Sequence, residues 1–584
     1  MSNKIANLIA LGLLGIMGAL AFFSMKGISL TMDELAHIPA AYSYVSQHDY
    51  RLNPEHPPLA KDLAALPLLS QKINFPKDHP SWREGVNNQW WFGNQFLYKS
   101  GNDPDKIIFW ARIPMILLLL SLGAFLFHFA RKIGGNFLAL GVLFLFTFSP
   151  TFLAHGRLVT TDVAATFGFL VAILFYLKFL KNPSKLNVIL AGIALGVALL
   201  LKFSCILLLP LFVVISLAYI FFFSKKGERF KMFLKYLGLA LLVSVIAVLV
   251  IWPIYQFNIW NYPVEKQVED TKYLLSSNPF PTLVKINVWM AGNKILRPLA
   301  HYLLGLMMAT QRVAGGNTTY FLGEVSAAGW WYYFPVVYFL KVPLAFHLLT
   351  LFALVLMIWG FGKNSFSFKK WISDYFTEFS LICFLAIYWF TSIKGNLNIG
   401  VRHIMPVIPF TYILVLRAIQ VGYWKMKNIS CRKYTCLVLI GLFCWYGFSS
   451  LSTFPHYLSY FNEIAGGPKN GYKFVVDSNY DWGQDLLRLK NWVEENKIEK
   501  IYVDYFGGGD VGYYLGDKYL SWQGTKSSFE FPKGNYLAVS ATLLQGGRGK
   551  AAANFDQPTG YYNWLNSYQP VARAGNSIFI YYIK

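Results

Sequence analysis

About eleven stretches, each of roughly 17–25 apolar residues, recur along this chain, and each can cross a hydrocarbon layer of about 30 Å as a helix. Backbone groups in lipid find no water to bond, so a chain with many such stretches folds as a helical membrane protein. They fall near residues 5–26, 107–130, 135–152, 163–180, 186–202, 204–223, 236–255, 333–359, 377–393, 403–421 and 435–453. Composition agrees: 55% of the 584 residues are hydrophobic and 14% are charged, far from average soluble usage. The formal net charge of +23 does not signal nucleic acid. The basic residues sit in short loops, and no basic helix or nucleic-acid motif accompanies them.

Those loops also set an expected orientation. Arg131-Lys132, then Lys178, Lys181 and Lys185, then Lys225, Lys226, Arg229, Lys231 and Lys235 all fall on the side of the N-terminus. Lys363, Lys369 and Lys370, and then Lys425, Lys427, Arg432 and Lys433, fall there too. The positive-inside rule therefore puts the N-terminus in the cytoplasm and everything after about residue 454 outside. The first apolar run lacks a convincing cleavage site and reads as a retained first helix. The five cysteines (Cys205, Cys383, Cys431, Cys436, Cys444) lie in or beside apolar segments, so no disulfide framework is expected.

The expected organisation is a polytopic α-helical membrane part over 1–453 and a small extracytoplasmic α/β domain over 454–584. The outer loops are 27–106, 153–162, 256–332 and 394–402, and with the tail they hold nearly all the acids. In the first loop, 35–45 and 58–69 read as short helices. Trp82, Trp90, Trp91, Phe92 and Tyr98 suit an interfacial belt or simple membrane anchors. In the tail, 472–476, 501–505, 536–541 and 577–583 read as strands and 484–496 as an amphipathic helix. Gly507-Gly508-Gly509 lacks the full dinucleotide pattern and a following helix, so it marks no nucleotide site.

Charge is densest at 31–61, just after the first apolar run: Asp33, Glu34, His37, Glu55, His56 and Lys61, with Pro57-Pro58 between the last two. Ionisable groups beside hydrocarbon are costly unless something uses them. Acids followed by a cation suit the activation of a hydroxyl beside a gripped phosphate. Lys61 near the start of its helix would add a full charge to that helix's positive end. His56 reads as packing the Pro-Pro turn, or as a ligand. These side chains also read as ordinary loop residues.

Other outer turns add candidates. His155-Gly156-Arg157 leads to Asp162, which reads either as a helix cap paired with Arg157 or as a second acid facing the first loop. Lys202 at a helix end reads as a snorkelling amine. Arg402-His403, ahead of Pro406, form an anion site or anchor the chain to head groups, and only an Arg can hold a phosphate with two parallel bonds. Glu324 sits in a loop that reads as lying along the membrane. Asp477, Asp481 and Asp485 read as cation or glycan contacts, or as turn and cap residues. A divalent cation on Asp33 and Asp162 is left open, since no compact ligand motif demands one.

Asp33-Glu34 after a first transmembrane helix and His56-Pro57-Pro58-Leu59-Ala60-Lys61 resemble the bacterial members of glycosyltransferase family 39. These are dolichyl-phosphate-mannose–protein mannosyltransferase-like proteins with the membrane-embedded GT-C fold. Arg157-Leu158 with Asp162, Tyr320–Glu324 before Gly329-Trp330-Trp331, Asn396–Pro406, and Asp477–Asp485 carry the same likeness. The resemblance implies a multi-pass enzyme of the plasma (inner) membrane. Such an enzyme moves a sugar, mannose or similar, from a polyprenyl-phosphate donor to an acceptor hydroxyl, with inversion.

It further implies Asp33 as base, Glu34 as orienting acid and Asp162 as second acid. Lys61, Arg402, His403 and Arg157 would hold the donor phosphate, and Glu55, His56 and Glu324 would contact the acceptor or the loops. Segment 256–332 is too short for the β-trefoil insert of eukaryotic members, so the acceptor stays open among protein, lipid and polysaccharide. The rival class is a transporter or flippase of lipid-linked glycans. It places charges near the bilayer midplane and often shows inverted repeats, and neither feature is evident here.

Overall fold

A computed structural model of the chain describes residues 1–361 and 367–584; Lys363 lies outside the described residues. Among the described residues, eight helices are long and apolar enough to span a membrane. They are Asn3–Met25, Pro104–Thr147, Asp162–Lys181, Phe203–Phe223, Lys226–Asn258, Phe376–Lys394, Val407–Lys425 and Ile429–Leu451. Tyr333–Lys341 and Leu344–Ile358 together make a ninth, bent by 107°. The bend falls at Pro343, which has no N–H to continue the ladder. Lys185–Leu201 is a shorter apolar helix of 17 residues.

Two expected helices, 107–130 and 135–152, are drawn as one of 44 residues, which at 1.5 Å per residue would reach about 66 Å if straight. It is not straight. Gly134 and Gly135 leave helical geometry, and Gly135 takes φ +78°, a conformation that glycine adopts without strain. The second half ends at Thr147, and a separate short helix, Pro150–His155, turns toward the next loop. The eleven expected segments thus fall on eight candidate spans, one bent pair and one shorter helix among the described residues, two of the segments sharing the long bent helix.

At one end of the bundle the first polar loop folds into Met32–Tyr42, Leu59–Ala65, Pro80–Arg83 and Gln89–Asn94. The expected belt of aromatics is mostly core. Trp82 and Phe92 pack within the loop, Tyr98 is buried against Tyr513 and Tyr514 of the tail, and only Trp90 and Trp91 are exposed.

Helix Met32–Tyr42 opens with a capping box, Thr31 at the N-cap and Glu34 at its third position. Glu34 does more than cap. Its carboxylate takes both Nε and Nη2 of Arg112 at 2.8 and 2.6 Å and the Val159 amide at 3.0 Å. Arg112 in turn donates to the carbonyls of Ile28 and Ser29. One buried pair thus pins the loop helix to the long spanning helix and to the turn that precedes Asp162.

The tail forms a five-stranded sheet in the order Tyr519–Ser521, Ile501–Asp504, Asn535–Ser540, Ile578–Ile583, Ala572–Ala574. The first three strands run parallel, and the last two pair antiparallel. Helix Leu486–Glu495 matches its expectation. The expected strand at 472–476 is instead a 3₁₀ turn, Gly471–Lys473, with one isolated bridge between Val475 and Phe321. Its amides bond back to carbonyls three residues earlier, which leaves no ladder to extend.

Loop 256–332 contributes a hairpin, Thr319–Phe321 with Glu324–Ser326, whose second strand pairs with Lys550–Ala551 of the tail. The tail also docks on the first loop. Ser29 Oγ donates to the Gly483 carbonyl at 2.6 Å, and the Met32 amide donates to the Trp482 carbonyl at 3.0 Å. Gly508 lies so near that a Cβ there would stand 2.5 Å from the Thr31 carbonyl oxygen.

The buried Glu34–Arg112 pair yields a stability test. Arg112→Met leaves an uncompensated carboxylate and should cost about 3–5 kcal/mol. Adding Glu34→Gln to that variant should recover much of the loss. Thermal unfolding of the detergent-purified protein reads both, and additive losses would contradict the pairing.

Candidate functional site

Asp33 and Glu34 are neighbours in sequence but sit about 100° apart around the helix. Glu34 points into the protein and is fully buried, whereas the Asp33 side chain is 20% exposed. Asp33 Oδ2 accepts from Arg402 Nη1 at 2.7 Å across 369 residues of sequence. The same Nη1 lies 3.7 Å from Asp162 Oδ2, and Asp162 Oδ1 pairs with Lys202 Nζ at 2.5 Å. The result is an alternating row of acid, cation, acid, cation, drawn from the first loop, the turn at 394–406, the start of helix Asp162–Lys181 and the end of helix Lys185–Leu201.

Two expectations change here. Asp162 does not pair with Arg157, and Lys202 does not snorkel, because its amine turns inward to Asp162. An amine at the end of an apolar helix is a site candidate by default, and it lacked only a named partner in the sequence.

Arg402 is held on every side. Nε donates to Ser478 Oγ at 3.1 Å, and the guanidinium lies 4.4 Å from the Trp482 ring. Ser478 Oγ donates to the Ile399 carbonyl at 2.7 Å, and Asn479 Oδ1 accepts from the Val401 amide at 2.8 Å. The segment 477–485 therefore works as a bracket for the Arg402 turn. Burial opposes the charge on Arg402, but Asp33, Asp162 and Asp477 outweigh it and hold the guanidinium above its ordinary value. Asp477 itself is pushed up to about 6 by burial, with Arg402 pulling the other way.

His37, one helical turn after Asp33, links this row to Lys61. Its Nδ1 is 2.9 Å from the Val159 carbonyl, and its ring meets that of His56 edge-on at 5.0 Å. Both imidazoles are held below their ordinary value, first by burial and then by surrounding cations, which include Lys61 and Arg402. Lys61 is 1% exposed and donates to the Tyr44 hydroxyl at 2.7 Å and to Asn53 O and Oδ1 at 3.0 and 2.7 Å. Burial pulls its amine down to about 7, partly offset by Glu55 and Asp62. Glu55 is engaged with Asn87 and Gln89.

Polar capacity is left over around the row. Asp162 Oδ2, His155 Nδ1 and His403 Nε2 are buried with no hydrogen-bond partner. The structure thus brings Asp33, Asp162, Arg402, His403, His56 and Lys61 into one region. It does not bring Glu34 there, whose carboxylate is taken by Arg112, Thr31 and Val159. Glu324 is exposed on the hairpin's second strand, and Arg157 faces a different cavity. Among the described residues no group of three or more His, Cys, Asp or Glu could hold a metal ion, and the space between Asp33 and Asp162 is filled by the Arg402 guanidinium.

Residues 105–252, which carry Arg112, Arg157, Asp162 and Lys202, match the sequence model of the family described as dolichyl-phosphate-mannose-protein mannosyltransferase. No curated protein matches the chain. Among solved structures, the chain is similar to ArnT from Cupriavidus metallidurans bound to undecaprenyl phosphate, at 12% identity, covering 100% of this chain and 98% of that one with a TM-score of 0.49. It is similar to the Archaeoglobus fulgidus oligosaccharyltransferase at 11% identity, over 87% and 64% of the two chains, with a TM-score of 0.46. It is also similar to the S. cerevisiae protein O-mannosyltransferase Pmt1-Pmt2 complex bound to the sugar donor, at 16% identity over 45% and 34%, with a TM-score of 0.33. The chain thus carries, among its described residues, eight helices long and apolar enough to span a membrane, and over residues 105–252 it is similar to the dolichyl-phosphate-mannose-protein mannosyltransferase family.

Proposed function

We propose that this protein transfers a sugar, mannose or similar, from a polyprenyl-phosphate donor to an acceptor hydroxyl at the membrane face bearing the first loop and the tail. The observation that carries the proposal is the row of Asp33, Arg402, Asp162 and Lys202 with Lys61 beside it. A lipid tail would lie between helices, leaving its phosphate at the interface where these cations are. The family description, with its dolichyl-phosphate-mannose donor, supports a lipid phosphate as leaving group.

In the free protein Arg402 holds Asp33 Oδ2, so that oxygen is not open to an acceptor hydroxyl. An arriving phosphate offers Arg402 a second anion. The guanidinium swings its Nη groups to the phosphate, and Asp33 is left free to take the acceptor's proton. Asp162 orients Lys202, and Lys61 adds a second cation where charge develops on the departing phosphate. One attack from the face opposite that phosphate inverts the anomeric centre. Arg402 and Lys202 serve here as the cations between the acids. We place this face outside the cytoplasm on the loop-charge asymmetry, with protein, lipid and polysaccharide as candidate acceptors.

Asp33→Asn should lower kcat by about 10²–10⁴-fold, the usual worth of a positioned base. Donor binding should hold or tighten, because Arg402 loses its competing partner. Full turnover in that variant would remove Asp33 as base. Arg402→Ala should weaken donor binding at least tenfold in an equilibrium assay with the lipid donor, and unchanged affinity would remove the phosphate clamp.

The amine of Lys61 gives a pH signature. A sugar phosphodiester carries one negative charge across the working range, so the titration is the protein's. With the amine at about 7, Lys61 is charged below that pH and neutral above it. Donor KM should therefore climb above pH 7, by up to about tenfold per unit for one proton. Lys61→Arg stays charged and should flatten the profile. An unchanged slope in that variant would clear Lys61 of the role.

A further inference from the structure

Arg157 is 2% exposed and makes no hydrogen bond through its guanidinium, whose Nε and Nη1 are buried and unpartnered. A buried charge without a partner is costly, and buried guanidinium donors are nearly always satisfied. The acids nearby are already neutralised. Glu34 is bound through both oxygens to Arg112. Asp485 pairs with Arg488 through one oxygen and accepts the Asn576 and Ser577 amides through the other. The balance around Arg157 is one uncompensated positive charge. Its remaining company is the Tyr457 ring at 5.9 Å, and burial followed by the fields of Arg112 and Arg488 pulls the guanidinium down to about 9.

Arg157 lines a small cavity together with His456, Ser459, Gln484 and the Asp485–Arg488 pair. The cavity leaves about 10 Å³ for the centre of a water-sized particle, room for about one such particle. It lies where the turn before Asp162, the chain leaving the last spanning helix and the start of the tail domain's helix meet. It is separate from the Asp33–Arg402 row.

We propose that this cavity is a binding site for one small monovalent anion, chloride in a cellular setting. The unpaired charge requires an anion. The size excludes a phosphate or a carboxylate-bearing side chain, and the buried, unpartnered Nε and Nη1 of Arg157 are the donors left to hold it, with the Asp485-paired Arg488 also on the lining. A chloride held there would be an ionic tie between the membrane bundle and the tail domain, fixing the turn that carries Asp162. The site is independent of the transfer chemistry.

The test uses the full chain in lipid nanodiscs, at constant ionic strength, with potassium gluconate replaced stepwise by potassium chloride or bromide. Ligand bound to the native state raises the melting temperature with saturation. The wild type should melt several degrees higher in chloride than in gluconate, with a saturating dose curve. Arg157→Gln should melt at one temperature in both salts, and Arg488→Gln, at the cavity's edge, should shift the curve to at least tenfold higher chloride. A bromide-soaked crystal should show anomalous density within hydrogen-bond reach of Arg157. Equal melting of the wild type in both salts, an unchanged chloride response in Arg157→Gln, or no bromide at Arg157 would each overturn the proposal. If Arg157→Gln does not fold, the Arg488→Gln curve and the bromide map decide it.

Discussion

The contact between Arg402 and Asp33 is the one on which the rest of the site depends. It closes a gap of 369 residues and joins a loop after the first spanning helix to a turn near the end of the membrane part. Because the same guanidinium also faces Asp162, it sets the spacing of two acids that repel one another. A cation lying between two carboxylates offsets their repulsion. Lys202 completes the compensation from the far side of Asp162. A row of alternating charges buried at a membrane surface is costly unless paired, and pairing this complete leaves it poised for an anion that can displace one member.

Everything around the row restrains it. Glu34 and Arg112 fix the helix that presents Asp33, so the loop acid does not move with its loop. Ser478, Asn479 and Trp482 fix the turn that presents Arg402. The tail domain thus contributes to the site although it lies wholly after the last spanning helix. The hairpin of loop 256–332 shares a sheet with the tail, so the polar part of the protein is one interleaved cap rather than separate loops with an appendage. The cavity beside Arg157 falls on the seam between that cap and the bundle.

Much of this was legible in the sequence. Apolar length alone located the spanning helices, because a helix in lipid has no alternative way to satisfy its backbone. Charge density at 31–61 marked the loop that matters, and Asp33, Asp162 and Arg402 do meet. What was not legible concerns partners rather than positions. Asp33 and Glu34 look equivalent as adjacent acids, and only the helical rotation, with Arg112 on one side and Arg402 on the other, gives them different surroundings. Lys202 looked like a snorkelling amine because its partner is 40 residues away. Arg157 looked like a phosphate ligand because nothing in a linear chain shows which cavity it faces. The 472–476 segment has strand composition but no neighbour to pair with, and pairing decides a strand.

The account stands or falls on where a phosphate binds. A structure of the protein with its polyprenyl-phosphate ligand in a lipid nanodisc measures that directly. The phosphate should lie within hydrogen-bond reach of Arg402 and beside Lys61, with Asp33 released from Arg402 and opening on the space left for an acceptor. A phosphate bound elsewhere, with the Arg402–Asp33 pair intact, would contradict it.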